Sequence, residues 1–253
     1  MFTTILAGAA AAAPAPAASF DFLHAMNEGG VIAWGTFTIL TGMLFFSLLI
    51  LFTKVFEQGK VLSQYKRVRA SFWQAGSLRE GAAKLEKNSA YRQVVDDALI
   101  AQDQYKELTD PIEAHDWLHG SLQRSQDTIN SQLNGGLAFL ATVGSTAPFI
   151  GLFGTVVGIF RALIKIGAAG DASIGTVAGP VGEALIMTAL GLVVAVPAVL
   201  GYNWLQARNK KIKEELDSFS NDVLGYLASD GRVRPTVAKA PAGKAPPVAA
   251  AKA

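Results

Sequence analysis

GGLAFLATVGSTAPFIGLFGTVVGIF, residues 135–160, and VAGPVGEALIMTALGLVVAVPAVLGYNWLQ, residues 177–206, decide the fold. The first run carries no charge and the second carries one, Glu183. A helix needs roughly 20 predominantly apolar residues to cross a hydrocarbon core about 30 Å thick, and each run is long enough. Working outward, the uncharged window reaches back to Thr128, and a third such window covers Gly29–Thr53. Buried helices of a soluble protein rarely need apolar runs of this length. The sequence therefore predicts an all-α membrane protein with three transmembrane helices.

The basic residues orient those helices. No Lys or Arg precedes Lys54, eleven fall between Lys54 and Arg124, and nine follow Ala207. Only Arg161 and Lys165 lie between the second and third windows. Lys and Arg near span ends collect on the cytoplasmic side, so the expected topology is N-out and C-in. The features divide the chain into a periplasmic N-terminal tail over 1–30 and a first transmembrane helix over 31–53. A cytoplasmic helical region over 54–134 leads to the second span, 135–160, and a periplasmic turn, 161–176. The third span covers 177–205, followed by a cytoplasmic helix over 206–230 and a disordered Ala/Pro/Lys tail over 231–253. Residues 1–20 faintly resemble a secretory leader, but they lack a basic start and Pro14 and Pro16 interrupt them. A disordered tail is the preferred reading there.

Helical periodicity marks the regions outside the spans. Val61, Tyr65, Val68 and Phe72 fall on one face, and Pro111 suits the first turn of a further helix. Leu118, Leu122, Ser125, Ile129 and Leu133 recur at steps of four and three, and their stripe runs on toward the second span as one long helix. Ile212, Leu216, Phe219, Val223 and Tyr226 form a second seam after the basic cluster Arg208–Lys213. Packing of the two seams on each other within one chain is expected, and contact between copies is compatible with it. Trp34, Tyr202 and Trp204 suit membrane interfaces.

Small residues crowd the second and third spans. Gly151, Gly154 and Gly158 in the second span and Gly191 in the third permit close backbone approach, the usual basis of helix packing in lipid. Within this pair Glu183 stands out. A charged side chain inside a span costs on the order of 3 kcal/mol, so such residues mark ion or proton pathways by default. The plainer alternative is a carboxylate near the outer interface satisfied by Arg161 or Lys165. With a hairpin centred near Ala169, Thr155 and Glu183 lie at similar depth, and Thr188 one to two turns deeper. Each threonine is either part of a polar track or bonded to the carbonyl one turn back in its own helix. Pro148 and Pro197 each remove a backbone donor and are expected to bend their helices.

Other chemistry finds little support. With no cysteine, neither disulfides nor a thiolate metal site can form. His115, Asp116 and His119 spell HDWLH, an imperfect HExxH without an evident third ligand, read as a solvated helix face. There is no GxxxxGK[ST] phosphate loop, so no cofactor or enzymatic activity is expected, and nothing in the charge pattern invokes nucleic acid.

GSTAPFIGLFGTVVGIF followed by GEALIMTALGLVVAVPAVLGYN resembles the signature of the MotA/TolQ/ExbB proton-channel family, and its ExbB and TolQ branch most. The likeness is dense over 136–202, with Val157 where many relatives have Trp and AGPVGEAL in place of APGIAEAL. The resemblance implies that Glu183, Thr155 and Thr188 line a proton pathway. It also implies a ring of copies, thought to be pentameric, in the bacterial inner membrane around single-span ExbD-type helices. Such a ring passes the proton motive force through TonB to outer-membrane transporters, or serves the Tol-Pal system if the chain is of TolQ type. The basic cluster after the third span suits anionic lipid headgroups.

Overall fold

A computed structural model describes residues 22–109, 113–170 and 174–235. Among them the only regular elements are helices. These are α1 (Phe22–Ser71), α2 (Leu78–Ala83), α3 (Ala90–Tyr105), α4 (Ala114–Asn134), α5 (Leu137–Ala169) and α6 (Ile174–Ala228), with a 3₁₀ turn at Phe72–Gln74. Three stretches are long and apolar enough to cross a membrane: Gly29–Gln74, Ala114–Ala168 and Ala184–Ala228. The protein is thus an all-α membrane protein with three candidate spans. Residues 1–21 and 236–253, with most of the two expected tails, lie outside the described residues, as does Pro111.

The described residues form two compact units that share α1, α5 and α6. One comprises the chain up to Met43 and Thr146–Val194; the other comprises Leu44–Ser145 and Ala195 onward.

The second unit is built around one large core. Leu118, Leu122 and Ile129 of α4 meet Ile212, Leu216, Phe219 and Val223 of α6, together with Tyr91, Val94 and Val95 of α3. Val68 and Phe72 join them, with Val61 and Tyr65 packed alongside. Both sequence seams are therefore consumed inside a single chain. Phe72, Phe219 and Tyr91 add edge-to-face ring contacts at 5.2–5.4 Å, each worth roughly 0.5–1.5 kcal/mol beyond its area. Short helices are fixed by their caps: Ser77 accepts from Glu80 N at the start of α2, and Ser89 from Arg92 N at the start of α3.

The continuous helix expected through 113–160 is instead two, α4 and α5, separated at Gly135–Gly136. Gly136 has φ +82°, and a Cβ there would lie 3.0 Å from Ile50 Cγ2, so only glycine suits both the turn and the contact. The Gln132 carbonyl accepts twice at this end, from Gly135 N at 3.2 Å and from Lys54 Nζ at 2.8 Å, one bond to each lone pair. Close by, Gln58 Nε2 donates to Leu205 O at 3.1 Å and to Asn209 Oδ1 at 2.6 Å, while Asn209 Nδ2 reaches Asn134 Oδ1 at 2.9 Å. Gln58 and Asn209 are buried and Asn134 is exposed, and the three amides together tie α1, α4 and α6. On α6 the Arg208 guanidinium stacks over Trp204 at 4.5 Å.

Two further segments are more ordered than their sequence reading. Most of 161–176 is helical, because α5 continues to Ala169 before Gly170, at φ +68°, closes it with a bond from its N–H to Ile166 O. Beyond α6, Gly231 turns the chain at φ +78°, and Arg234 donates to the carbonyls of Ala75 and Gly76 at 3.3 Å each. Residues 231–235, expected as the start of a loose tail, are thereby held against the loop after the 3₁₀ turn.

Candidate functional site

The site is a product of close helix approach in the first unit. A Cβ on Gly151 would sit 2.5 Å from the Met187 carbonyl oxygen and 3.1 Å from Gly191 Cα. One on Gly191 would sit 2.7 Å from Ala147 O. Further along, Gly158 faces Ala184, and Gly154 faces Met187 and Thr36. Any larger side chain at Gly151 or Gly191 would meet main chain, which cannot rotate aside. Gly151, Gly154, Gly158 and Gly191 thus all lie where α5 touches a neighbouring helix. The midpoints of these pairs fall between positions 169 and 171, at or just beyond the sequence estimate of Ala169.

That approach brings two hydroxyls together. Thr155 is buried, and its Oγ1 lies 2.5 Å from Thr188 Oγ1, 3.1 Å from Ala184 O and 3.2 Å from Gly151 O. The bond to Gly151 O is the ordinary intrahelical one; the other two cross to α6. A hydroxyl donates one proton and accepts through two lone pairs, so Thr155 has more acceptors than protons to offer. Thr188, half-buried, supplies a second hydroxyl able to donate or accept. Such a pair can pass a hydrogen bond from one partner to the other without moving either helix.

Glu183 lies on α6 next to Ala184, whose carbonyl takes part in the cluster; its own side chain lies outside the described residues. Thr155 and Thr188 are thus brought together. Two further participants, Met187 and Thr36, carry no mark in the sequence reading. Met187, 3% exposed, packs with Met26 and Ala33, and Thr36 of α1, 4% exposed, lies against the Gly154 position. Thr36 carried the one available signal, a hydroxyl inside an apolar run. Arg161, considered above as a counter-ion for Glu183, donates through Nη1 to the Gly29 carbonyl at 2.6 Å.

Away from this cluster, the His115 and His119 rings stack 6.3 Å apart. Among the described residues no set of three His, Cys, Asp or Glu side chains is arranged to hold a metal.

Residues 88–218 match the MotA/TolQ/ExbB proton channel family. The chain is similar to the biopolymer transport protein ExbB of Xanthomonas campestris pv. campestris, with 37% identity over 190 residues, 71% of this chain and 75% of that one. It is also similar to the ExbB of Neisseria gonorrhoeae, at 47% identity over 117 residues, 46% of this chain and 53% of the other. The Tol-Pal system protein TolQ of Pseudomonas aeruginosa matches at 43% over 96 residues, 38% of this chain and 42% of the other.

Proposed function

The chain belongs to the MotA/TolQ/ExbB proton channel family, and on that premise we propose an ExbB-type motor subunit of the bacterial inner membrane. In this reading it couples the proton motive force, with an ExbD-type single-span protein and TonB, to active transport through outer-membrane receptors. It has no enzymatic activity of its own. The N-terminus lies outside, α2–α4 and the C-terminal half of α6 lie in the cytoplasm, and several copies, five by family resemblance, surround the partner helices. The cluster Arg208–Lys213 rests against anionic lipid headgroups.

The observation that carries this reading is the Thr155–Thr188 hydroxyl contact on a backbone-close helix pair that also bears the one charged residue of Ala172–Ala207. Hydrocarbon surroundings disfavour a permanent carboxylate, so Glu183 gains and loses a proton, and the two hydroxyls supply hydrogen-bonding positions beside its path. One charge falling through 100 mV releases about 2.3 kcal/mol, enough to bias a switch between packed states without nucleotide hydrolysis.

The test is Glu183→Gln in a strain lacking its own subunit. The variant assembles with its partners but no longer supports receptor-mediated uptake. Full uptake would refute the proposal. A TolQ-type role is the second reading, favoured by the TolQ relative but over a shorter match than the Xanthomonas ExbB. Rescue of envelope integrity rather than of uptake would select it.

A further inference from the structure

Gly30 interrupts α1 with φ +60° and ψ −153°, a conformation essentially reserved for glycine. A helix break strands carbonyls that the missing turn would have bonded. One of these, Gly29 O, accepts the bond from Arg161 Nη1 at 2.6 Å. That bond is charge-assisted and partly buried, hence stronger than a neutral one. A Cβ on Gly30 would lie only 3.1 Å from the same Nη1, so glycine also makes room for the guanidinium.

Two more ties cross the break. Trp34 Nε1 donates to Asn27 Oδ1 at 3.4 Å. Met26 is fully buried in a cluster with Ala33 and Met187, against which Phe37 and Leu190 pack. Met187 precedes Thr188 in the chain and touches the Gly154 position, which precedes Thr155. Met26, in the segment Phe22–Gly29 ahead of the break, therefore covers the methionine that adjoins both hydroxyl-bearing turns.

We propose that this segment is a cap over the outer approach to the Thr155–Thr188 pair, that Gly30 is its hinge, and that Arg161 is its latch. Arg161 is then a positioning residue: it touches neither hydroxyl but sets how often the approach is open. The inference rests on the function proposed above, which places Arg161 and Gly30 on the outer side. Two side-chain bonds and one methionine are a modest fastening compared with the nineteen-residue core of the second unit, as a part that opens requires.

The chain has no cysteine, so thiols can be placed one at a time. In the full complex in spheroplasts, Met187→Cys should react slowly with a membrane-impermeant maleimide. Adding Arg161→Ala should speed the reaction at least about tenfold, and Arg161→Lys, which can still donate to the Gly29 carbonyl, should restore most of the protection. In the Met26→Cys/Met187→Cys double variant, mild oxidation should cross-link the cap and stop proton-driven uptake, and reduction should restore it. Equal labelling with Arg or Ala at 161, failure of the cross-link to form, or full uptake by the cross-linked protein would each overturn the proposal. Labelling reports the cap whether or not the chain moves protons. An error in the pathway assignment would leave it unchanged and would surface as full uptake in Glu183→Gln.

Discussion

Thr155 has one proton and three oxygens within 3.2 Å to receive it. If the hydroxyl merely closed its own helix, bonding Gly151 O would suffice, and valine, nearly the same shape, would serve. If it hands hydrogen bonds across to Thr188, the hydroxyl itself is required. Thr155→Val should then lower proton-driven uptake at least about tenfold while Thr155→Ser retains most of it, a loss typical of removing a positioned proton-transfer group. Equal activity in the two variants would reduce Thr155 to a packing residue. The pairing itself was partly legible. Counting from a hairpin centre gives two antiparallel helices a common depth scale, and contact midpoints of 169–171 lie within half a turn of the one assumed. The rotation of each helix about its axis, which decides that Thr155 meets Thr188, comes from the glycine contacts.

Other residues matter through charge rather than contact. Burial in the second unit raises Glu215, against the pull of Lys211 and Lys66, and burial likewise raises Asp222 against Arg69. Glu215 Oε2 and the Tyr91 hydroxyl are buried without hydrogen-bond partners, and burial, with the Glu215 carboxylate second, raises the Tyr91 phenol. An acid raised on folding binds its proton more tightly folded than unfolded. Stability therefore falls as pH rises from the ordinary carboxylate value of 4.5 through the raised folded value. Glu80 and Glu86 carry the opposite sign, lowered chiefly by hydrogen bonds from Lys84 and Gln64, and their contribution is lost as pH falls below the ordinary range. Glu215→Gln should raise the melting temperature of the purified protein at pH 7 and flatten its decline between mildly acid and neutral pH. An unchanged profile would show that the carboxylate is solvated.

At the scale of elements, glycines separate into those that touch and those that do not. Gly151 and Gly191 abut backbone, whereas a Cβ on Gly182 would meet nothing within 4 Å among the described residues. The same letter in the sequence carries both meanings, which is why small-residue spacing gives the packed face only in outline. Gly191→Ala should cost about 1–3 kcal/mol, the usual range for overpacking, and weaken the purified assembly. Gly182→Ala should be neutral or slightly stabilising, because alanine is the better helix former by roughly 1 kcal/mol. Thermal unfolding in detergent compares the two, and equal melting temperatures would dissolve the distinction. Other element-level features were beyond sequence reading for a related reason. The helix break at Gly30 and the amide layer of Gln58, Asn209 and Asn134 join positions far apart in the chain, and no local periodicity signals such a meeting. The seams on α4 and α6 were legible because one face of each helix repeats for several turns, and the core they build in one chain is the consequence.

For the whole molecule, orientation is a property of charge placement that no internal contact records. In the proposed topology Lys54, Lys60, Arg208, Lys210, Lys211 and Lys213 take the cytoplasmic side, against Arg161 and Lys165 on the outer one. Arg161 donates to the Gly29 carbonyl, which in that topology gives part of the minority charge a structural use. The Lys/Arg rule acts on short flanking segments during insertion, and it predicts that the majority side stays in the cytoplasm. Absence of cysteine makes this directly measurable. Asn27→Cys should react with an impermeant thiol reagent in intact spheroplasts, and Ser229→Cys only after the membrane is opened. Replacing the six majority cations by Gln should allow a fraction of chains to insert reversed, seen as Ser229→Cys labelling from outside. If Ser229→Cys already labels from outside with all six cations in place, the orientation is inverted. The Arg161 latch would then face the cytoplasm, and the direction in which protons meet Thr155 and Thr188 would reverse with it.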